Sequence, residues 1–210
     1  MSEKQLITKT YYQSLINNDD TRHPIQQLGE LFAEEQKKEI PDASEIRFAQ
    51  GEVYYHNKDY EAAIYKWGNV HNDLEQWAKK NIADAYLELA IYPDAEKIYQ
   101  SIQTDSLTLR TEVLLQLFSL YIQQEKYQNA DQTIKKIVSL NPDYPNVTKL
   151  ARTFYENHKD WQSALELAIG EGIRTEDLTW FELLKSYIKN GYAGQQAPHF
   201  FFGALSAMKK

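Results

Sequence analysis

The chain has 210 residues, 42% of them hydrophobic, a formal net charge of −7 and no cysteine. This apolar content is enough for a continuous core. The negative field disfavours nucleic acid and anionic membrane surfaces as partners, and the missing thiols exclude disulfides, thiolate zinc sites and cysteine catalysis.

The opening "MSEKQLITKT" lacks a cleavable apolar segment, and no later run reaches the roughly 18 uninterrupted apolar residues of a membrane span. A cytoplasmic protein is the expectation. Residues 1–43 read as an N-terminal helical pair, one helix over 3–17 ("EKQLITKTYYQSLIN") and one over 24–38 ("PIQQLGELFAEEQKK"). Pro24 falls in a first turn, where its missing N–H costs nothing. Asp42 or Ser44 is suited to cap the helix that follows, because a short oxygen side chain satisfies a free N–H there.

From residue 44 one phrase recurs four times. An aromatic is followed by alanine three residues on and a further residue four beyond that: Tyr60/Ala63/Trp67, Tyr92/Ala95/Tyr99, Tyr127/Ala130/Ile134 and Trp161/Ala164/Ala168. Six residues before each first aromatic stands Tyr54, Tyr86, Tyr121 or Tyr155, and the alanines recur at intervals of 32, 35 and 34 residues. Spacings of three and four put these side chains on one helical face. The large residues act as knobs and the alanine as the gap that admits a neighbouring helix. The polar stretches "YHNKD" and "IQQEK" suit short links between antiparallel helices. Pro93 belongs in a first turn, and Asn141 with Pro142 ends a helix in the third unit.

Over residues 44–172 the chain resembles the tetratricopeptide repeat family, in four units. The small residue that family places three before the first-helix aromatic is matched by Gly51 and Ala83, whereas Phe118 and Arg152 depart from it. The resemblance implies an all-α fold, a right-handed superhelical solenoid of antiparallel helix hairpins with about twelve helices.

Residues 173–210 read as a C-terminal helical pair. The stretch "TEDLTWFELLKSYIKNG" has Thr175 as expected N-cap and Gly191 as expected C-cap, and "APHFFFGALSAMKK" gives a last helix. Phe200, Phe201 and Phe202 cannot all face one side. They either pack on the preceding hairpin or allow self-association through the C-terminal helix. The chain stops without the polar capping helix usual for such arrays, so a fragment of a longer protein is a reading to keep.

Catalytic chemistry finds little support. His23, His56, His71, His158 and His199 are scattered, with no H-E-x-x-H spacing. The pairs Asp19/Asp20, Glu34/Glu35 and Glu171 with Glu176 read as solvated carboxylates. "GEGI" and "GYAG" read as turn glycines. No enzyme activity, metal or cofactor is expected.

The resemblance places the first helix of each hairpin on a concave inner surface where partner segments lie. Counting along those helices, the peptide-binding candidates are Glu45, Phe48, Glu52 and Tyr55, then Trp77, Lys80, Asp84 and Glu88. They continue with Glu112, Leu115, Ser119 and Ile122, then Lys149, Thr153 and Glu156, Asn146 preceding them. Six acidic residues there oppose only Lys80 and Lys149. Relatives that clamp acidic chaperone tails use inward lysine, arginine and asparagine. Here only Lys80 and Asn81 fit, with Gln116, Asn146 and Leu150 at the matching sites, too few cations to offset the desolvation of a carboxylate tail. Two readings stand side by side: a neutral or basic protein segment anchored on Phe48, Trp77, Leu115 and Ile122, or a solvated acidic groove with no ligand. The function expected is a non-catalytic interaction scaffold; the alternative is a regulatory or assembly module of a larger multidomain enzyme.

Overall fold

The structure is a computed structural model that describes residues 2–177 and 179–190. Among the described residues it is all-α, with eleven α-helices, one short 3-10 helix and no strand. The helices are α1 (Glu3–Thr8), α2 (Pro24–Glu35), α3 (Ser44–His56), α4 (Tyr60–Trp67), α5 (Glu75–Glu88), α6 (Tyr92–Ser101), α7 (Leu107–Gln123), α8 (Tyr127–Leu140), α9 (Val147–Asn157), α10 (Trp161–Thr175) and α11 (Trp180–Lys189), with the 3-10 helix at Tyr11–Ser14. The chain divides into two compact units, Met1–Thr133 and Ile134–Lys210. No described helix is long and apolar enough to cross a membrane.

Each recurring phrase opens a helix with its first aromatic: Tyr60 in α4, Tyr92 in α6, Tyr127 in α8 and Trp161 in α10. The alanines Ala63, Ala95, Ala130 and Ala164 are all fully buried, as are Trp67, Tyr99, Ile134 and Ala168 to within 2%. The turns in front of these helices share one geometry. Lys58, Ala90, Glu125 and Lys159 are left-handed, at φ 61°, 57°, 56° and 59°. The next N–H, of Asp59, Ile91, Lys126 and Asp160, donates 2.9 Å to the carbonyl of Tyr54, Tyr86, Tyr121 and Tyr155 in turn. This bond ties up a free carbonyl at the end of the first helix and reverses the chain at once. Asp59 and Asp160 also cap α4 and α10, their carboxylates accepting from Ala62 N and Ser163 N.

Gly51 explains one small-residue position. A Cβ there would lie 2.4 Å from the Trp67 ring, whose indole N–H donates to the Phe48 carbonyl at 3.0 Å. In the second unit Ile134, Ile137, Val147, Ala151, Tyr155, Ala164 and Leu165 are buried within and around the α9–α10 hairpin.

Several local expectations are corrected. The single helix over 3–17 is broken: α1 stops at Thr8, Lys9 turns left-handed at φ 55°, and the chain resumes as the 3-10 helix. Thr175 ends α10 rather than starting the next helix. Glu176 takes the left-handed cap and Asp177 N bonds the Gly172 carbonyl, while Thr179 stands at the N-cap of α11. Gly170 and Gly172 of "GEGI" therefore lie inside a helix, not a turn. Ala43 is the N-cap of α3, yet Asp42 supplies the capping oxygen, accepting from Ser44 N at 2.9 Å. Gly191, "GYAG", His199, the Phe200–Phe202 run and the expected last helix lie outside the described residues.

Candidate functional site

The site lies in the first unit, on the faces of α3 and α5 and the start of α7, and the chain's own N-terminal arm covers it. Residues 3–14 cross these helices. Glu3 accepts from the hydroxyls of Ser106 and Thr108 at 3.1 and 2.8 Å, next to the start of α7. Leu6 is 4% exposed. The Tyr11 ring meets Phe48 edge-on at 5.7 Å, and Tyr12 N–H donates to Glu52 Oε2 at 2.6 Å.

At the centre sits Lys9. Its left-handed backbone ends α1 and turns the ammonium toward α5, where Nζ lies 2.6 Å from Asp84 Oδ2. The same ammonium stands 4.2 Å from the centre of the Tyr55 ring, and His56 Nε2 donates to the Lys9 carbonyl at 2.8 Å. Asp84 is held from two further sides: Lys80 Nζ lies 2.8 Å from Oδ2, and the Tyr99 hydroxyl donates to Oδ1 at 2.6 Å. Lys80 also lies 3.9 Å from Glu112 on α7. Lys80, Asp84 and Glu112 are all buried.

Burial sets the electrostatics, and partners correct it. Desolvation pushes the Glu52 carboxyl up to about 8, with the Tyr12 N–H and the Lys9 charge pulling the other way. Burial would raise Asp84 as well, but Lys80 and Lys9 together hold it below the usual carboxylate range. Lys9 is lowered by desolvation despite the attraction of Asp84. Tyr55 and Tyr99 are pushed above the ordinary phenol value, first by burial and then by the neighbouring carboxylates. Satisfaction of the polar groups is incomplete. Among the described residues, Glu52 Oε1 and both amide atoms of Asn81 are buried without a hydrogen-bonding partner.

The inward candidates therefore fall into three sets. Phe48, Glu52, Trp77, Lys80, Asp84 and Glu112 are buried, and Tyr55 is half-buried beneath Lys9. Lys80 is occupied by Asp84 within its own helix, so it presents no free ammonium to a carboxylate tail. Glu45, Glu88, Leu115, Ser119 and Ile122 keep exposure: Glu45 lines an open depression of about 470 Å³ with Ser14, Leu31 and Ile46, and Glu88 accepts from the Tyr55 hydroxyl. Lys149, Thr153 and Glu156 belong to the second unit, where Lys149 and Thr153 are exposed and Glu156 accepts from the Tyr187 hydroxyl of α11 and pairs with Arg152 at 3.3 Å.

Sequence reasoning missed Lys9, Tyr11 and Tyr12. Their one legible signal was a cation followed two residues on by a pair of aromatics in "LITKTYYQ", complementary to an acidic set of inward residues. Among the described residues no group of three or more histidines and carboxylates has the geometry of a metal site. His23 caps α2 and His158 Nδ1 donates to the Phe154 carbonyl. No protein-family model matches the chain, and comparison with curated proteins finds no match.

Proposed function

We propose that the protein is a protein-interaction scaffold of tetratricopeptide type, a right-handed solenoid of helix hairpins that binds a peptide or protein segment along its first helices and does no chemistry itself. The fourfold recurrence of the left-handed turn and the buried alanine supports the repeat reading. One observation carries the functional one: the faces of α3, α5 and α7 already seat a twelve-residue peptide, residues 3–14, through side chains and through the Tyr12 backbone N–H. Backbone recognition with a few side-chain anchors is how extended and short helical segments are bound. A preorganised seat loses little entropy on binding.

The test changes partly exposed residues farther along α7, a first helix of its hairpin, without touching the core. Leu115→Ala with Ile122→Ala, both partly exposed on α7, is compared with wild type in capture of a partner identified by crosslinking in cells. Helicity and Tm serve as controls. Loss of capture with an intact fold supports the scaffold; unchanged capture removes it.

A further inference from the structure

The arm and its seat have separable chemistry. Residues 2–15 carry Lys4 and Lys9 against Glu3, so the arm is cationic. The helices beneath carry Asp84, Glu88 and Glu112 against Lys80. The central contact is an ammonium site: one carboxylate oxygen at 2.6 Å and an aromatic face at 4.2 Å, the pairing that holds lysine-like cations. Few apolar side chains of the arm are buried, Leu6 and Tyr11 being the two. Its α1 is six residues long, too short to persist in water without its docking contacts. Glu52, which accepts from the arm's Tyr12 N–H, keeps its Oε1 buried without a hydrogen-bonding partner among the described residues, and such a group is costly to leave unpaired.

We propose that the arm is an exchangeable internal ligand and that the seat on α3, α5 and α7 takes a lysine-bearing peptide segment of a partner, whose ammonium replaces that of Lys9 between Asp84 and the Tyr55 ring. This deepens the scaffold reading and rests on it. Because the arm is tethered, it competes at an effective concentration of about millimolar order, and only a segment that fits better or is locally abundant displaces it.

The probe is a fluorescein-labelled peptide of residues 2–15, SEKQLITKTYYQSL, titrated by anisotropy into the full chain. In wild type it binds weakly. In a Lys9→Met chain, whose own arm has lost its ammonium, it binds roughly tenfold or more tightly. The same peptide with norleucine at the Lys9 position loses that gain. A Tyr12→Pro chain, which removes the N–H given to Glu52, provides a second loosened arm should Lys9→Met fold poorly. Equal binding of the lysine and norleucine peptides, or no binding to either loosened chain, overturns the proposal. So does a wild-type dimer with exchanged arms in sedimentation, since the occupant is then a second copy. If the peptide fails while partner capture still depends on Leu115 and Ile122, displacement is wrong and the scaffold stands. If the peptide binds through its lysine but no capture depends on those residues, the scaffold reading fails alone.

Discussion

Lys9 and Asp84, 75 residues apart in the chain, meet at 2.6 Å in a buried ion pair that ties the N-terminal arm to α5. Asp84 also holds Lys80, so the two lysines share one carboxylate. Removing one partner of a buried pair is costly because it strands the other charge. Lys9→Ala leaves Asp84 still paired with Lys80 and is expected to cost about 2 kcal/mol. Asp84→Ala strands the Lys9 ammonium and leaves Lys80 only the more distant Glu112 at 3.9 Å, and is expected to cost about 4 kcal/mol. The double variant should cost clearly less than the sum, the signature of direct coupling. Urea unfolding of the four proteins checks this.

The Glu52 carboxyl gives stability a distinctive pH dependence. Its native value, pushed to about 8, lies above that of an ordinary glutamate. The native state keeps its proton where the unfolded chain has released it. Stability is therefore greatest on the acidic side and falls as pH rises between about 4.5 and 8, by up to about 1.4 kcal/mol per pH unit. Asp84 acts in the opposite sense below this range: it is held down by Lys80 and Lys9, so its contribution is lost as pH falls through its native value. Glu52→Gln should flatten the fall above pH 4.5 and leave the acid limb unchanged, as read from Tm against pH.

Gly51→Ala should destabilise, although alanine favours helices by about 1 kcal/mol. The added methyl would stand 2.4–2.6 Å from the Trp67 ring, which is 1% exposed and fixed by its bond to the Phe48 carbonyl. Overpacking a rigid ring outweighs propensity, for a net loss of roughly 2 kcal/mol. The double variant Gly51→Ala with Trp67→Leu should recover part of the Gly51→Ala loss relative to Trp67→Leu alone. Chemical denaturation measures both.

Ala90→Gly should do the reverse. Ala90 is exposed and left-handed at φ 57°, a conformation that costs an alanine about 1–2 kcal/mol. After the extra chain entropy of glycine is subtracted, a gain of about 0.5 kcal/mol remains. Ala85→Gly, buried inside α5, should lose stability. Opposite signs for two alanine-to-glycine changes five residues apart verify the turn geometry.

The hairpin elements were legible because period-3.6 packing is local: the alanine gap and its aromatic neighbours sit within eight residues of one another. The arm was not. Nothing within residues 3–17 signals that Lys9 will turn left-handed, since that break is set by Asp84 and Tyr55, which come from distant helices. For the same reason Glu52, Lys80 and Asp84 read as groove residues open to a partner, when the chain itself covers them. Thr175 misled for a simpler reason. A threonine before acidic residues resembles an N-cap, but the buried face of α10 continues through Ile169 to Gly172 and carries the helix up to Thr175 as its last residue.

Native-state hydrogen exchange separates a docked peptide from a fixed part of the core. If residues 3–14 are a seated ligand, their amides exchange through an opening of lower free energy than the global unfolding seen at Ala83 and Ala85 in α5, and Lys9→Met speeds exchange in the arm while sparing α5. Exchange of the arm and α5 together at the global limit, with both shifted equally by Lys9→Met, would contradict it.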